Sequence, residues 1–155
     1  MNEIEVDFFE PEPFEEAIEF FSEETNFELT HSESVSNWLK AVAEEEKMEL
    51  RHVVFIFCSD NYLHQMNVTY LKHDSLTDVI TFPYATDVIE GDIFISIDRV
   101  EYNAQKLKID FETELHRVMV HGILHLCGYT DKTKEKTLEM RAKENYYLTL
   151  IYKYL

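Results

Sequence analysis

Two histidines four residues apart have the type and spacing to bind one metal ion together. His121 and His125 lie in the run HGILHLCGYTD, within a stretch from 115 to 126 that is apolar almost throughout. Such a stretch predicts a buried helix, and residues four apart lie on one face of a helix. Because an unsatisfied buried polar group costs free energy, both imidazoles need partners, and a shared metal ion would satisfy them.

A third ligand is predicted just beyond this helix. Gly128 can adopt the left-handed conformation that ends many helices, and a turn at 128–130 would bring Asp131 back over the same face. His121, His125 and Asp131 then form an open site, most typical of zinc at one ion per chain, and the metal-bound water is the predicted catalytic group. A histidine pair alone is more often structural, and other divalent metals can compete for these ligands.

The residue between the histidines argues against one enzyme class. The spacing is similar to the metalloprotease pattern H-E-x-x-H, but position 122 is Gly. The glutamate that acts as general base in those peptidases is therefore missing, although the metal scaffold is similar.

Composition limits what the chain can be. Its 155 residues are 45% apolar with three Gly and three Pro, which predicts one globular domain rather than a disordered chain. A net charge of −17 argues against general adhesion to nucleic acid or anionic membrane. No apolar stretch is long enough to span a bilayer, the first residues are acidic, and Cys58 and Cys127 alone make no disulfide framework. We expect a cytoplasmic protein with no membrane partner.

The metal ligands must be positioned by a small set of helices and strands. Residues 1–13 are interpreted as an acidic extension and 14–155 as a single domain. Periodicity predicts four strands, at 17–21, 51–58, 78–83 and 92–97. It also predicts five helices. The first begins at Ser32 or Ser34 and the second at Ser59 or Asp60, and the others cover 98–107, 111 to Gly128 and 133–152. The eight-residue gap before the last strand, with Gly91 near its end, suits an antiparallel connection. This order predicts an α+β or mixed α/β domain with a four-stranded sheet and about five helices.

Three ordered motifs resemble one family. HGILHLCGYTD resembles the H-G-x-L-H-L-x-G-Y-D-H signature of the YbeY family of bacterial endoribonucleases. Residues 67–70, Asp74 and 77–83 resemble its L-N-x-x-Y-R-x-x-D-x-P-T-D-V-L-S-F-P motif, and residues 91–96 its G-D-I-x-I-S strand. The resemblance covers the chain from about residue 17 to the C-terminus.

The resemblance implies a fold and a function. The fold is α+β, a small mixed sheet packed with helices, with a zinc site at the end of a cleft. The activity is that of a metal-dependent, single-strand-specific endoribonuclease in maturation of the 3′ end of small-subunit (16S) ribosomal RNA and in ribosome quality control. The expected partners are single-stranded or ribosomal RNA and the ribosome or its small subunit.

The chain departs from the family pattern at two places. Asp131 aligns with the family's third histidine, and as an anion it would make a metal-bound water slightly less acidic. Leu71 stands where the family usually has an arginine that is thought to hold RNA phosphate. Lys72 and Arg117 are candidates to replace that arginine, and Thr77 either lines the cleft or shapes the preceding turn.

Two interpretations remain open from the residues alone. The basic run Lys132, Lys134, Lys136, Arg141 and Lys143 is either a phosphate-attracting patch or, as we favour, a solvated helix face paired with Glu135, Glu139 and Glu144. Besides a nuclease, a zinc hydrolase of another substrate and a non-catalytic ribosome-assembly factor with a structural metal are compatible with the sequence.

Overall fold

The computed structural model describes residues 16–72 and 76–155, so the acidic extension predicted at 1–13 lies outside the described residues. These residues form one α+β domain with a four-stranded sheet and five α-helices, as predicted. The elements in chain order are β1 (Ile18–Glu23), α1 (Ser32–Glu45), β2 (Leu50–Cys58), α2 (Asp60–Leu71), β3 (Val79–Pro83), β4 (Ile89–Ser96), α3 (Ile97–Leu107), α4 (Phe111–Leu126) and α5 (Lys134–Leu150), followed by a 3₁₀ turn at Ile151–Lys153.

The sheet is mixed, with the strand order β1-β2-β4-β3. β1 and β4 run parallel to β2, and β3 runs antiparallel to β4 at the edge of the sheet. The antiparallel connection was predicted, but the start of β4 was placed wrongly at residue 92. β4 begins at Ile89, and Gly91 pairs with Pro83 inside the ladder rather than lying in the loop.

Close packing explains why a glycine occupies this strand position. A Cβ atom at Gly91 would lie 2.3 Å from the carbonyl oxygen of Phe82 and 2.9 Å from Cδ2 of Leu126. The glycine therefore marks a close approach of backbone and helix within a strand, and its resemblance to a turn residue was misleading.

The helix starts are partly as predicted. Ser59 caps α2, where its hydroxyl accepts a hydrogen bond from the Tyr62 backbone N–H at 3.1 Å. Neither Ser32 nor Ser34 caps α1, because the preceding residue His31 takes the N-cap position in a left-handed conformation and Ser32 is already helical. Ser96, which was predicted to lie inside a strand, ends β4 and caps α3.

The main core lies between the sheet and α4. Ile93 and Ile95 of β4 point toward this layer and are fully buried with Met119 and Ile123 of α4. Trp38 of α1 closes the layer, and its indole N–H donates to the Tyr147 carbonyl oxygen at 2.9 Å. Alternate β4 residues such as Phe94 face α2 in a smaller cluster. α4 is thereby fixed on the sheet beside β3, which decides where its histidines lie.

Across the described residues, no helix has both the length and the apolar character that crossing a membrane requires.

Candidate metal centre

The two predicted histidines lie side by side near the C-terminal end of α4. Their Nε2 atoms are 2.9 Å apart and their ring centroids 4.5 Å apart. Both side chains are about a quarter exposed, at 20% for His121 and 27% for His125. The helix presents the pair to solvent on one side while its remaining faces are buried.

Gly122 allows α4 to approach the sheet next to His121. A Cβ atom at this position would lie 2.8 Å from two side-chain carbons of Ile93 in β4. Only glycine, which has no Cβ atom, allows the helix to lie this close to the strand. Gly122 therefore has a packing role that the sequence alone did not reveal.

The turn after α4 orients the second histidine. The backbone N–H of Tyr129 donates to the carbonyl oxygen of Leu124 at 3.1 Å. The backbone N–H of Gly128 donates to the carbonyl oxygen of His125 at 3.0 Å, and the φ angle of Gly128 is 107°. These two bonds form a Schellman motif around the predicted glycine. The same turn places the Tyr129 carbonyl oxygen 3.0 Å from Nδ1 of His125. A carbonyl can only accept, so Nδ1 carries the proton and Nε2 presents its lone pair.

Asp131 comes back to the histidine pair, as the turn at Gly128 predicted. Its Oδ2 lies 3.9 Å from Nε2 of His121 and 3.8 Å from Nε2 of His125. One ligand atom from each residue falls within 4.8 Å of the others. The structure therefore brings the three predicted metal ligands together.

A buried glutamate from α5 holds His121, and sequence reasoning missed it. Oε2 of Glu144 accepts from Nδ1 of His121 at 2.8 Å, while Oε1 accepts from Arg117 at 3.1 Å and from Arg141 at 3.3 Å. Burial raises the pKa of Glu144, but hydrogen bonding and the charge of His121, with the two arginines, outweigh it and lower that pKa below its usual value. The carboxylate is thus ionised and accepts the Nδ1 proton of His121.

We favoured the interpretation of the basic run as a solvated helix face on which Glu144 is one of the paired glutamates. This prediction was wrong for Glu144, because its side chain is buried and only 4% exposed. Lys136 does pair with Glu139 at the surface, at 3.6 Å. Lys143 instead reaches Glu46 of α1, at 3.0 Å. The charged residues of α5 therefore divide between solvent and specific contacts with other helices, which helical spacing alone cannot distinguish.

The residues at this centre fit a metal ion. Both Nδ1 atoms donate to oxygen acceptors, so the two Nε2 atoms, 2.9 Å apart, are the ring nitrogens left to share a proton or to bind a metal cation. In tetrahedral zinc sites the bond length of about 2.0–2.1 Å puts two nitrogen ligands about 3.4 Å apart. Two imidazoles and a carboxylate oxygen, with outer hydrogen bonds that fix the rings, are a typical donor set for such an ion.

The metal centre lies at the end of a cleft of about 570 Å³. Its walls come from β3, from the C-terminal part of α2 and from the turn after α4. Lining side chains include Asn67, Leu71, Thr77, Thr81 and Tyr129. Thr77 both lines the cleft and shapes the turn, since its hydroxyl donates to the Val79 carbonyl oxygen at 3.4 Å. Lys72 and Arg117, by contrast, are not among the cleft-lining residues of the described chain.

Asp78 is a second carboxyl group near the metal centre. It lies just before β3 and lines the cleft together with His121. Burial raises the pKa of Asp78, and the charge of His121 opposes this shift. The strand predicted at 78–83 begins one residue later, at Val79, and Asp78 lies in the wall of the cleft, which the matched motif had offered as one of its roles.

Fold and site together define a class. The protein is a small α+β domain with an open histidine–histidine–carboxylate cluster at the end of a cleft, the arrangement of an enzyme that uses a single metal ion.

Comparisons with known proteins narrow this class to a family. The family model "Endoribonuclease YbeY" matches residues 17–152, and the chain belongs to that family. It is 50% identical over 133 residues to Endoribonuclease YbeY of Amoebophilus asiaticus, covering 84% of this chain and 90% of the relative. Over 138 residues it is 49% identical to Endoribonuclease YbeY of Cytophaga hutchinsonii, and the match covers 88% of this chain and 96% of that relative.

A solved structure agrees with the fold. The solution structure of a Thermotoga maritima protein superposes with a TM-score of 0.66 at 29% identity, covering 88% of this chain and 89% of that one. The family resemblance predicted from three motifs is therefore confirmed over most of the chain.

Proposed function

We propose that this protein is a zinc-dependent endoribonuclease that hydrolyses phosphodiester bonds in single-stranded RNA. The observation that carries the proposal is the convergence of two imidazole Nε2 atoms and a carboxylate at the end of an open cleft. The names of its relatives supply the substrate class, RNA.

The residues of the chain divide the work of this site. His121, His125 and Asp131 would hold the ion, and when bound it supplies Lewis-acid chemistry that activates water and polarises a phosphate oxygen near neutral pH. Glu144 and the Tyr129 carbonyl oxygen fix the tautomers and ring orientations of the two histidines. The cleft beyond them leaves room for an extended strand, and Thr77 in its wall and Lys72 at the end of α2 are proposed to contact RNA.

A peptidase is disfavoured by the packing at position 122. A glutamate there would have to place its Cβ 2.8 Å from Ile93, so the helix could not keep its position on the sheet. The general base of the H-E-x-x-H peptidases therefore has no place in this fold.

The proposed target is ribosomal RNA at the 3′ end of the small-subunit molecule, in the cytoplasm and in contact with the ribosome. The motif resemblance supports this target, and the two free cysteines, Cys58 and Cys127, fit a reducing compartment. Cells that lack the protein should accumulate small-subunit RNA with an extended 3′ end. Normal 3′ ends in such cells would contradict the proposed target but not the nuclease activity.

The activity can be tested with purified protein and a labelled single-stranded RNA. Metal analysis should find about one zinc per chain, and cleavage should stop when a chelator is added and resume with the ion. His125→Ala should abolish both metal binding and cleavage, and Asp131→Ala, at a more exposed position, should weaken both without unfolding the chain.

A matched control is His31→Asn, because His31 caps α1 in a left-handed conformation that asparagine tolerates, and it does not line the cleft. This variant should cleave like the unchanged protein. Protein that holds one zinc and leaves RNA intact under all metal conditions would instead favour a non-catalytic assembly factor or a hydrolase of another substrate.

A further inference from the structure

A buried carboxylate lies behind the turn that follows α4. Glu46 directly follows α1, and its side chain is only 8% exposed. Oε1 of Glu46 accepts a hydrogen bond from the Tyr129 hydroxyl at 2.6 Å. Oε2 accepts from the Tyr147 hydroxyl and from the Lys143 ammonium, the latter at 3.0 Å. An ionised carboxylate has acceptor sites for all three donors, so one side chain joins the end of α1 to α5 and to the turn.

Tyr129 is the residue through which this carboxylate reaches the metal centre. Its carbonyl oxygen accepts from Nδ1 of His125 at 3.0 Å, while its hydroxyl donates to Glu46. Lys143 lies 5.5 Å from the centre of the Tyr129 ring, which is within the range of a cation–π contact. Because the side chain is held at its far end, the backbone carbonyl of Tyr129 has little freedom to move away from the His125 ring.

The rest of the turn offers weaker anchors than Tyr129. Gly128 has no side chain and a φ angle of 107°. The side chain of Asp131 is 51% exposed, whereas Tyr129 packs against the main core. Asp131 follows Tyr129 by two residues, so the anchor at Tyr129 also limits where this third predicted ligand lies.

We propose that Glu46 is a positioning residue for the metal centre, which acts through Tyr129 to hold the carbonyl oxygen that orients His125. The inference rests on the metal-binding part of the proposed function. Glu46 does not line the cleft, and it lies 83 residues from Tyr129 along the chain. Its effect on the metal is therefore indirect, through the position of the turn rather than through contact with the ion or with RNA.

The chain contains a closely similar pair that does not reach the turn. The Tyr146 hydroxyl donates to Oε1 of Glu45 at 2.5 Å, and these two residues directly precede Tyr147 and Glu46 along the chain. Tyr146 is 43% exposed, and neither member of the pair lines the cleft. Glu45→Ala and Tyr146→Phe therefore remove the same groups between the same two helices without removing a contact of Tyr129.

The experiment measures the zinc affinity of the full chain by titration against a fluorescent chelator. We expect Tyr129→Phe to lower this affinity about fivefold, less than the roughly tenfold to hundredfold effect of losing a direct partner of a ligand. Glu46→Ala should lower it at least as much. Adding Tyr129→Phe to Glu46→Ala should have little further effect, because both changes remove the same hydrogen bond. Glu45→Ala and Tyr146→Phe should bind zinc like the unchanged protein.

NMR of the zinc-loaded protein supplies a readout that a general loss of stability would not produce. The Nδ1 proton of His125 is held by the Tyr129 carbonyl oxygen, and that of His121 is held by Glu144. In Tyr129→Phe the His125 proton should exchange faster with water, while the His121 proton should exchange as in the unchanged protein. Loosening of the whole domain would instead speed the exchange of both protons.

The outcomes separate this inference from the nuclease activity. Equal zinc affinities for Tyr129→Phe and Tyr146→Phe, with both variants folded at the assay temperature, would overturn the role of Glu46. Faster exchange at both histidines would overturn it too, and a failure of the unchanged protein to bind zinc would overturn both it and the proposed function. If RNA is cleaved while the two affinities are equal, only the positioning role is wrong. If zinc affinity depends on Glu46 and Tyr129 but the loaded protein leaves RNA intact, the positioning role stands and the proposed nuclease function fails.

Discussion

Replacing Glu144 with glutamine should weaken metal binding by the two histidines, although neither ligand is touched. Oε2 of Glu144 lies 2.8 Å from Nδ1 of His121, and the side chain is buried. Glutamine has the same shape and can still accept this hydrogen bond through its amide oxygen, but its amide nitrogen then faces Arg117 and Arg141 and cannot accept from them. It removes the negative charge that makes His121 a stronger electron donor to a metal.

The size of the effect follows from this contact. A hydrogen bond to a charged acceptor contributes about 1.5–3 kcal/mol, against about 0.5–1.5 kcal/mol for a neutral pair. The difference of about 1–1.5 kcal/mol corresponds to a loss of about tenfold in metal affinity. Glu144→Ala, which removes the acceptor altogether, should approach the hundredfold end of the range known for such outer ligands.

Competition with a chromophoric chelator measures this affinity directly. Glu139→Gln is the control, because Glu139 lies on the same helix, is exposed and pairs with Lys136 at 3.6 Å. Equal zinc affinities for Glu144→Gln and Glu139→Gln, with both variants folded at the assay temperature, would refute the idea that α5 supports the metal centre.

Two further predictions concern stability. Gly91→Ala should lower the free energy of unfolding by about 1–3 kcal/mol, since the new Cβ would lie 2.3 Å from the Phe82 carbonyl oxygen; an unchanged urea midpoint would contradict the close packing. Burial raises the pKa of Asp60, but hydrogen bonds from Arg99 and Ser96 outweigh burial, so the pKa of Asp60 is lower in the folded protein than in the unfolded chain. The ionised Asp60 therefore stabilises the fold above the unfolded pKa of about 4. This stabilisation is lost as the pH falls through the lower folded pKa. Urea midpoints between about pH 5 and pH 2 should therefore fall less steeply for Asp60→Asn than for the unchanged protein, and parallel curves would contradict this.

The strands and helices could be located from the sequence because their signals are local. The apolar run around His121 predicted α4, and Ser59 predicted the start of α2. The prediction failed where a residue's usual local preference gave way to packing. Gly91 resembled a turn residue but lies in β4 against Phe82, and Ser32 resembled a cap although His31 takes that position.

The sequence by itself located the three candidate metal ligands. The spacing of His121 and His125 follows from the helix repeat, and Gly128 ends the helix in a conformation that other residues rarely adopt. The distance from that turn to Asp131 is only three residues, so chain connectivity already limits where the carboxylate can lie. All of these relations act within about two turns of backbone.

Only the tertiary structure decided what surrounds those ligands. Glu144 is 23 residues from His121 along the chain and 27 from Arg117, and nothing in the local sequence distinguishes it from the exposed Glu139 on the same helix. Which glutamate reaches the histidine depends on how α5 docks on α4, and that is decided by the packing of whole apolar faces. For this reason the candidate metal site found first in the sequence gained its supporting carboxylate only when the chain was folded.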